Sequence, residues 1–294
     1  MLKKLKVLSV FLFFFFMLPI ITGLLPFPNN KKYEPPQSEE KQMVYASTEI
    51  TESETEPQAT DVSPAMDPFN VLFVFTHSHE TYKPYAESES GTVAVYDDQA
   101  NLFTMSKVME DYFRLNDLTA KTLDVDVMSV MQKKGVTMSA AYDTVRPYIS
   151  EELKKNSYDL ILDIHRDATR ADKSTITHNK VKYAKIAFVI GAENPNYKSN
   201  LSYANVLNQT INKIVPNISR GIIEKKGAGV DGVYNQDLSK QLLLIEIGGI
   251  DNTEDEVYRT VAVLAQAISK ALVKEQVAKN DNGDQTASDN TSNS

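Results

Sequence analysis

The run "YDLILDIH" (residues 158–165) is apolar at odd and even positions alike. A strand with one solvated face alternates apolar and polar residues, whereas a strand covered on both faces does not. "NVLFVFTH" (70–77) and "KQLLLIEIGGI" (240–250) read the same way. Such strands need helices on each side of their sheet, and helical patterns lie between them. In "DDQANLFTMSKVMEDYFRLN", Leu102, Met105, Met109 and Tyr112 share one face, and Asp97 or Asp98 is expected to cap the helix. "MSAAYDTVRPYISEELKKN" reads as a helix that Pro147 kinks or breaks. "SNLSYANVLNQTINKIV" turns Val206, Leu207, Ile211 and Ile214 inward. The last helix opens on a capping box, Thr253 with Glu256. Val257, Val261, Leu264, Ile268 and Leu272 form its apolar face. "LTAKTLDVD" and "KVKYAKIAFVIG" supply two more strands. The expected fold is a single α/β domain with a largely parallel or mixed sheet flanked by helices.

The flanks have other compositions. Lys3, Lys4 and Lys6 precede an uncharged run from Val7 to Leu25, close to the length that spans a bilayer. Residues 1–25 are read as a Lys-rich cytoplasmic start and an uncleaved membrane anchor, and the rest of the chain is placed outside. A cleaved signal peptide is the rival, but no small-x-small site follows the run. Residues 26–66 are rich in Pro, Ser, Thr and Glu and read as a disordered linker. Residues 276–294 read as a polar tail. Between them, 67–275 is the folded domain. The net charge of −8 argues against a nucleic-acid partner. The absence of cysteine removes disulfides, thiolate metal sites and Cys nucleophiles together.

Three of the buried strands end in polar clusters. The first runs into His77-Ser78-His79-Glu80, the third into Asp163-Ile164-His165-Arg166-Asp167, and the last carries Glu246 before Gly248-Gly249. Ligands of open α/β sheets gather beyond the carboxyl ends of the strands, so these clusters can converge. Two imidazoles and a carboxylate are a common catalytic zinc set, with a fourth position left for water. His77 and His165 supply the imidazoles. Glu80, Asp97 and Asp98 are the candidates for the third ligand. Glu246 is then free to take a proton from water. Taken singly, a strand-end histidine is more often capped or solvated than a ligand. Glu246 is harder to set aside, because a carboxylate between Ile245 and Ile247 needs a cation, a metal or a donor. An ion pair with Arg166 is its plainest alternative. His178, in "TITHNKVKY", reads as an ordinary loop or strand-edge residue.

"THSHETY", "DIHRDAT" and "LLLIEIGGIDNT" together resemble the three motifs of the stage II sporulation protein P family, over about residues 69–274. That family is similar in fold and chemistry to the type 3 N-acetylmuramoyl-L-alanine amidases. The resemblance implies a zinc-dependent peptidoglycan hydrolase on the outer face of the cell membrane, acting in sporulation or cell-wall remodelling. It would cut the amide between muramic acid and the stem peptide, with peptide cross-links as a second target. Other membrane-anchored sporulation or cell-wall proteins are the implied partners. Carried onto this sequence, His77 and His165 are metal ligands, Glu246 is the catalytic carboxylate, and Glu80 matches the motif glutamate. The related amidases place their third ligand near the start of the helix after the first strand, where this chain has Asp97 and Asp98. His79, Arg166 and Asp167 are expected to back the ligands or face substrate. Two other readings compete. Paired histidines at a strand end also occur in metal-dependent hydrolases on (β/α)₈ barrels, which need about 250 residues and more strand–helix units than this domain offers. The other is a non-catalytic, membrane-anchored cell-wall binding module derived from such an enzyme.

Overall fold

The computed structural model describes residues 68–273. The expected anchor (1–25), linker (26–66) and tail (276–294) lie outside them. Among the described residues no helix is long and apolar enough to cross a membrane.

The strands are β1 (Phe69–Val74), β2 (Leu118–Thr122), β3 (Leu160–Asp167), β4 (Thr175–His178), β5 (Val181–Ala184), β6 (Ile186–Gly191), β7 (Ser219–Lys225) and β8 (Leu242–Gly249). The helices are α1 (Lys83–Glu89), α2 (Leu102–Arg114), α3 (Val127–Lys134), α4 (Ala141–Lys155), α5 (Ala171–Ser174), α6 (Tyr197–Ile214) and α7 (Glu254–Ile268). Six strands form one mixed sheet in the order β2-β1-β3-β8-β6-β7. The first four are parallel to one another. β6 runs antiparallel to β8, and β7 is parallel to β6. β4 and β5 form a separate antiparallel hairpin. This is the α/β class read from the sequence, with its sheet mixed.

The alternation of side chains assigns each strand residue to a face. Leu72, Val74, Ile161 and Leu242 pack against Val127 and Met131 of α3 and Val145 and Ile149 of α4. Phe73, on the opposite face, meets Phe113 of α2 edge-on at 4.8 Å. On that side α7 packs against both α2 and α6. Leu72, Phe73, Leu160, Ile161 and Leu162 are all fully buried. Each such side chain contributes about 1.5–3 kcal/mol of burial, which holds the carboxyl ends of β1, β3 and β8 in fixed register.

Several local expectations change. "KVKYAKIAFVIG" is two strands, because the chain leaves the β4–β5 hairpin at Lys185. There Lys185 N–H donates to Ser174 O and its carbonyl accepts from Gly248 N–H. The cap of α2 is Asn101, whose side chain accepts from Thr104 N–H, with Thr104 Oγ1 accepting in return. Asp97 instead folds the preceding loop, accepting from Gln99 and Ala100 N–H. α4 runs unbroken through Pro147. Pro147 and Asp143, whose carbonyl loses its helical partner, both face solvent, where water replaces the missing bond. The capping box of α7 is formed by Thr253 and Glu256, as read.

Candidate metal centre

β1 delivers its chain into a tight turn over residues 76–79. Thr76 donates twice to Asp163 of β3, from its N–H to Oδ1 at 3.0 Å and from Oγ1 to Oδ2 at 2.7 Å. Glu80 N–H closes the turn on His77 O at 2.9 Å. Both His77 and Glu80 are thereby aimed back at β3. His77 Nδ1 lies 3.4 Å from Glu80 Oε1. Glu80 Oε2 accepts from Arg166 N–H at 3.0 Å and lies 3.7 Å from His165 Nδ1. One donor atom from each of His77, Glu80 and His165 lies within 4.8 Å of the others.

The donor set fits a metal. Nε2 of His77 and Nε2 of His165 are buried without a hydrogen-bond partner. His165 Nε2 comes within 3.1 Å of Asp163 Oδ1, close enough for attraction but not aligned as a hydrogen bond. Nδ1 of each ring faces the Glu80 carboxylate, at 3.4 Å from His77 and 3.7 Å from His165, while Nε2 of His165 faces Asp163, so the cluster offers imidazole and carboxylate atoms turned toward one another and suited to a shared cation. Burial alone would lower the basicity of His165, but Asp163, Glu80 and Glu246 outweigh it and raise its pKa to about 9. Burial alone would raise the Glu80 carboxyl, yet the hydrogen bond from His77 and the charges of His165 and Arg166 hold it below its ordinary value.

Glu246 of β8 stands directly across the ladder from His165 of β3. Its Oε2 is buried and has no hydrogen-bond partner. Burial pushes its carboxyl up to about 7, against the opposing pull of His165. Here is a carboxylate that changes charge near neutral pH beside a group able to hold a metal, an arrangement suited to moving a proton to or from water.

The other sequence candidates fall elsewhere. Asp97 is committed to its loop, accepting also from Ser90 and Thr92 hydroxyls, and Asp98 is exposed. Neither joins the group of His77, Glu80 and His165. His79 turns away, its Nε2 2.9 Å from Asp126 Oδ2 at the start of α3. Arg166 does not pair with Glu246. Its Nη2 donates to Val95 O at 2.6 Å, and its guanidinium lies 5.5 Å from the centroid of the Tyr96 ring. Asp167 accepts from Arg220 Nη1 at 2.7 Å and from Thr169 N–H at 2.8 Å. His178 lies on β4.

Two residues of this end of the sheet escape a reading of the sequence. Arg220 belongs to β7, where Ile186 pairs with Ser219 but Phe188 pairs with Ile222, so Ala187 alone faces both Arg220 and Gly221. Such a bulge re-aims a side chain, and Gly221, at φ +92°, adopts the conformation it needs. Ala187 is also the partner of Glu246, and Arg220 reaches from beside it to Asp167. The second residue is Tyr142, near the start of α4. Its ring is stacked on His165 at 6.3 Å and tilted against His77 at 5.7 Å. An Arg–Gly pair in a short apolar run was the only sign of the first. Tyr142 shares the helical face of Val145 and Ile149 and so reads as core.

Comparisons with known proteins bear on this arrangement. A family model described as Stage II sporulation protein P (SpoIIP) matches residues 26–269. Stage II sporulation protein P of Bacillus subtilis (strain 168) is 32% identical over 202 residues, which are 68% of this chain and 50% of that protein. The chain thus spans about half the length of that curated relative. Among solved structures, the CwlD amidase from Clostridioides difficile, in complex with the GerS lipoprotein, is similar with a TM-score of 0.45 at 11% identity, covering 69% of this chain and 98% of that one. A putative N-acetylmuramoyl-L-alanine amidase from Neisseria meningitidis gives 0.35 at 14% identity, covering 70% and 95%. These structural likenesses are distant, and the chemistry of the site rests on its own residues. On the family match and the 32% identity, the chain belongs to the Stage II sporulation protein P family.

Proposed function

We propose that this domain is a zinc-dependent peptidoglycan hydrolase that cuts the amide between muramic acid and the stem peptide, with peptide cross-links as a second target. Membership of the family supports the sporulation setting and the cell-wall substrate. On this reading residues 7–25 anchor the domain to the outer face of the membrane, among other membrane-anchored cell-wall proteins. The observation that carries the chemistry is the juxtaposition of His77, Glu80 and His165 with the buried, unpartnered Oε2 of Glu246. Two imidazoles and one carboxylate suit zinc better than the hard cations that prefer oxygen alone. A metal held there would polarise the carbonyl and make water a better nucleophile.

The residues of the chain divide the remaining work. Glu246 accepts a proton from the attacking water as its oxygen bonds to the amide carbon. It then hands that proton to the nitrogen as the carbon–nitrogen bond breaks, so a carboxylic acid and an amine leave. One carboxylate placed beside both atoms can do both in turn. Asp163 and Arg166 N–H fix the orientations of His165 and Glu80.

Elemental analysis of the purified chain, before chelation and after zinc re-addition, together with peptide release from purified peptidoglycan, tests the proposal. One zinc per chain is expected. Glu246→Gln should keep that zinc and lose about 10²–10⁴-fold in rate. A folded protein that takes up no zinc would overturn the enzyme and leave a binding module. Activity of Glu246→Gln within a few-fold of wild type would remove Glu246 from the mechanism.

A further inference from the structure

Tyr142 forms one wall of the metal centre, and its hydroxyl is unused. The ring lies against both candidate imidazoles, 23° from coplanar with His165. It is held from behind. Tyr234 meets it edge-on at 5.2 Å, and Asn235 Nδ2 donates to the Tyr142 carbonyl at 2.9 Å. One turn on, Arg146 donates to Asn235 Oδ1 and to both carboxylate oxygens of Asp237. The start of α4 is thus tied to the turn before β8 by side chains on both partners, which is how a site group is kept in place before a ligand arrives. The residue is half-buried, not sealed in.

The hydroxyl has no hydrogen-bond partner among the described residues, although the charges of Asp163, Glu246 and Glu80 all act on it. An ordinary phenol is protonated at physiological pH, so this hydroxyl is able to donate. It is not among the buried atoms left unsatisfied, so water can serve it in the free protein and a ligand oxygen can take that water's place. Packing explains the ring but not the hydroxyl, since a phenylalanine would stack on His165 equally well.

We propose that the Tyr142 hydroxyl donates a hydrogen bond to the oxygen of the scissile carbonyl as that carbon becomes tetrahedral, which makes Tyr142 a catalytic residue. This rests on the hydrolase reading above. As the water oxygen bonds to the carbonyl carbon, the carbonyl π pair moves onto its oxygen. The Tyr142 proton stays on the phenol throughout and stabilises that charge. When the carbon–nitrogen bond breaks, the pair returns to the carbonyl and the nitrogen leaves with the proton carried by Glu246. A donor fixed where negative charge develops acts on the transition state more than on the bound substrate.

Tyr142→Phe isolates the hydroxyl and keeps the ring. Four quantities are read on the full chain: zinc content, kcat and KM for peptide release, and the affinity for a phosphinate analogue of the muramoyl amide. The phosphinate carries a tetrahedral centre with charged oxygen and cannot be cleaved. Zinc content and KM should stay within threefold of wild type. The value of kcat and the phosphinate affinity should each fall about 10- to 100-fold. A kcat within threefold of wild type with unchanged phosphinate affinity overturns the inference, as does a loss confined to KM. If wild type releases no peptide but the phosphinate still binds wild type 10-fold or more tightly than Tyr142→Phe, the hydrolase reading fails and the donor stands. Equal phosphinate binding to both, or none to either, removes the donor whatever the activity.

Discussion

The two halves of the sheet are built differently, and they share the site unequally. β2, β1, β3 and β8 run parallel, and the three inner strands are nearly continuous apolar runs that end together. His77, Glu80, His165 and Glu246 all come from those ends. β6 and β7 run the other way relative to β8, so their opposite ends meet the site. That half contributes one group, Arg220, and needs a bulge to aim it. Parallel strands with a common direction bring several strand ends to one edge. An antiparallel neighbour can reach the same edge only by a local irregularity. The metal-ligating candidates should therefore tolerate change in the β6–β7 half better than change in their own.

The largest expected effect lies in the parallel half and concerns metal affinity. Without metal, His165 holds its proton up to a pH of about 9, because Asp163, Glu80 and Glu246 outweigh the lowering effect of burial. A metal binds the neutral imidazole, so it must expel that proton. Zinc affinity should fall about tenfold for each unit of pH below 9 from this group alone, and level off above it. Competition with a chelator of known affinity, between pH 6 and pH 9, measures the slope. A flat profile would separate His165 from the metal and confine the ligand set to the turn after β1.

The same division decides what could be read from the sequence. The apolar runs of β1, β3 and β8 are visible because burial on both faces writes itself into every position, and their polar ends stand out by contrast. Thr253 and Glu256 are visible because a capping box has fixed spacing. "SRGIIEK" gives no such signal for β7. It is half-buried along most of its length, and the glycine that breaks its pattern is the residue that makes the bulge. The break at Lys185 is likewise unreadable, since its cause is pairing with Ser174 and Gly248, far along the chain. Asp97 and Asn101 both lie before α2, and only the folded loop shows which one caps it.

Arg220→Gln tests the other half. The pair of Arg220 with Asp167 is neither fully buried nor freely exposed, with side chains 15% and 22% accessible. Losing it leaves Asp167 short of a cation, at a cost between that of surface and buried pairs, about 2 kcal/mol. Denaturant unfolding should show that loss while zinc content stays at one per chain. If zinc is lost as well, the ligand geometry depends on β7 and the contrast between the halves dissolves.

The smallest effect concerns the element that fastens the two halves together. α7 begins just after β8 and packs on α2 beneath the parallel half and on α6 beneath the other. Its first turn is tied to the strand end. Asn252 Oδ1 accepts from Gly249 N–H at 2.7 Å, and Asn252 Nδ2 donates to Glu256 Oε2 at 2.7 Å. Thr253 Oγ1 then accepts from Glu256 N–H, while Glu256 Oε2 accepts from Thr253 N–H. Thr253→Ala removes one of these bonds and should cost about 1 kcal/mol. Asn252 still holds Gly249, so the end of β8 and Glu246 three residues before it should not move. Unfolding midpoint should therefore fall slightly, with zinc content and hydrolysis unchanged. A loss of hydrolysis in the Thr253→Ala protein would mean that the cap, and not the ladder between β3 and β8, sets the position of Glu246.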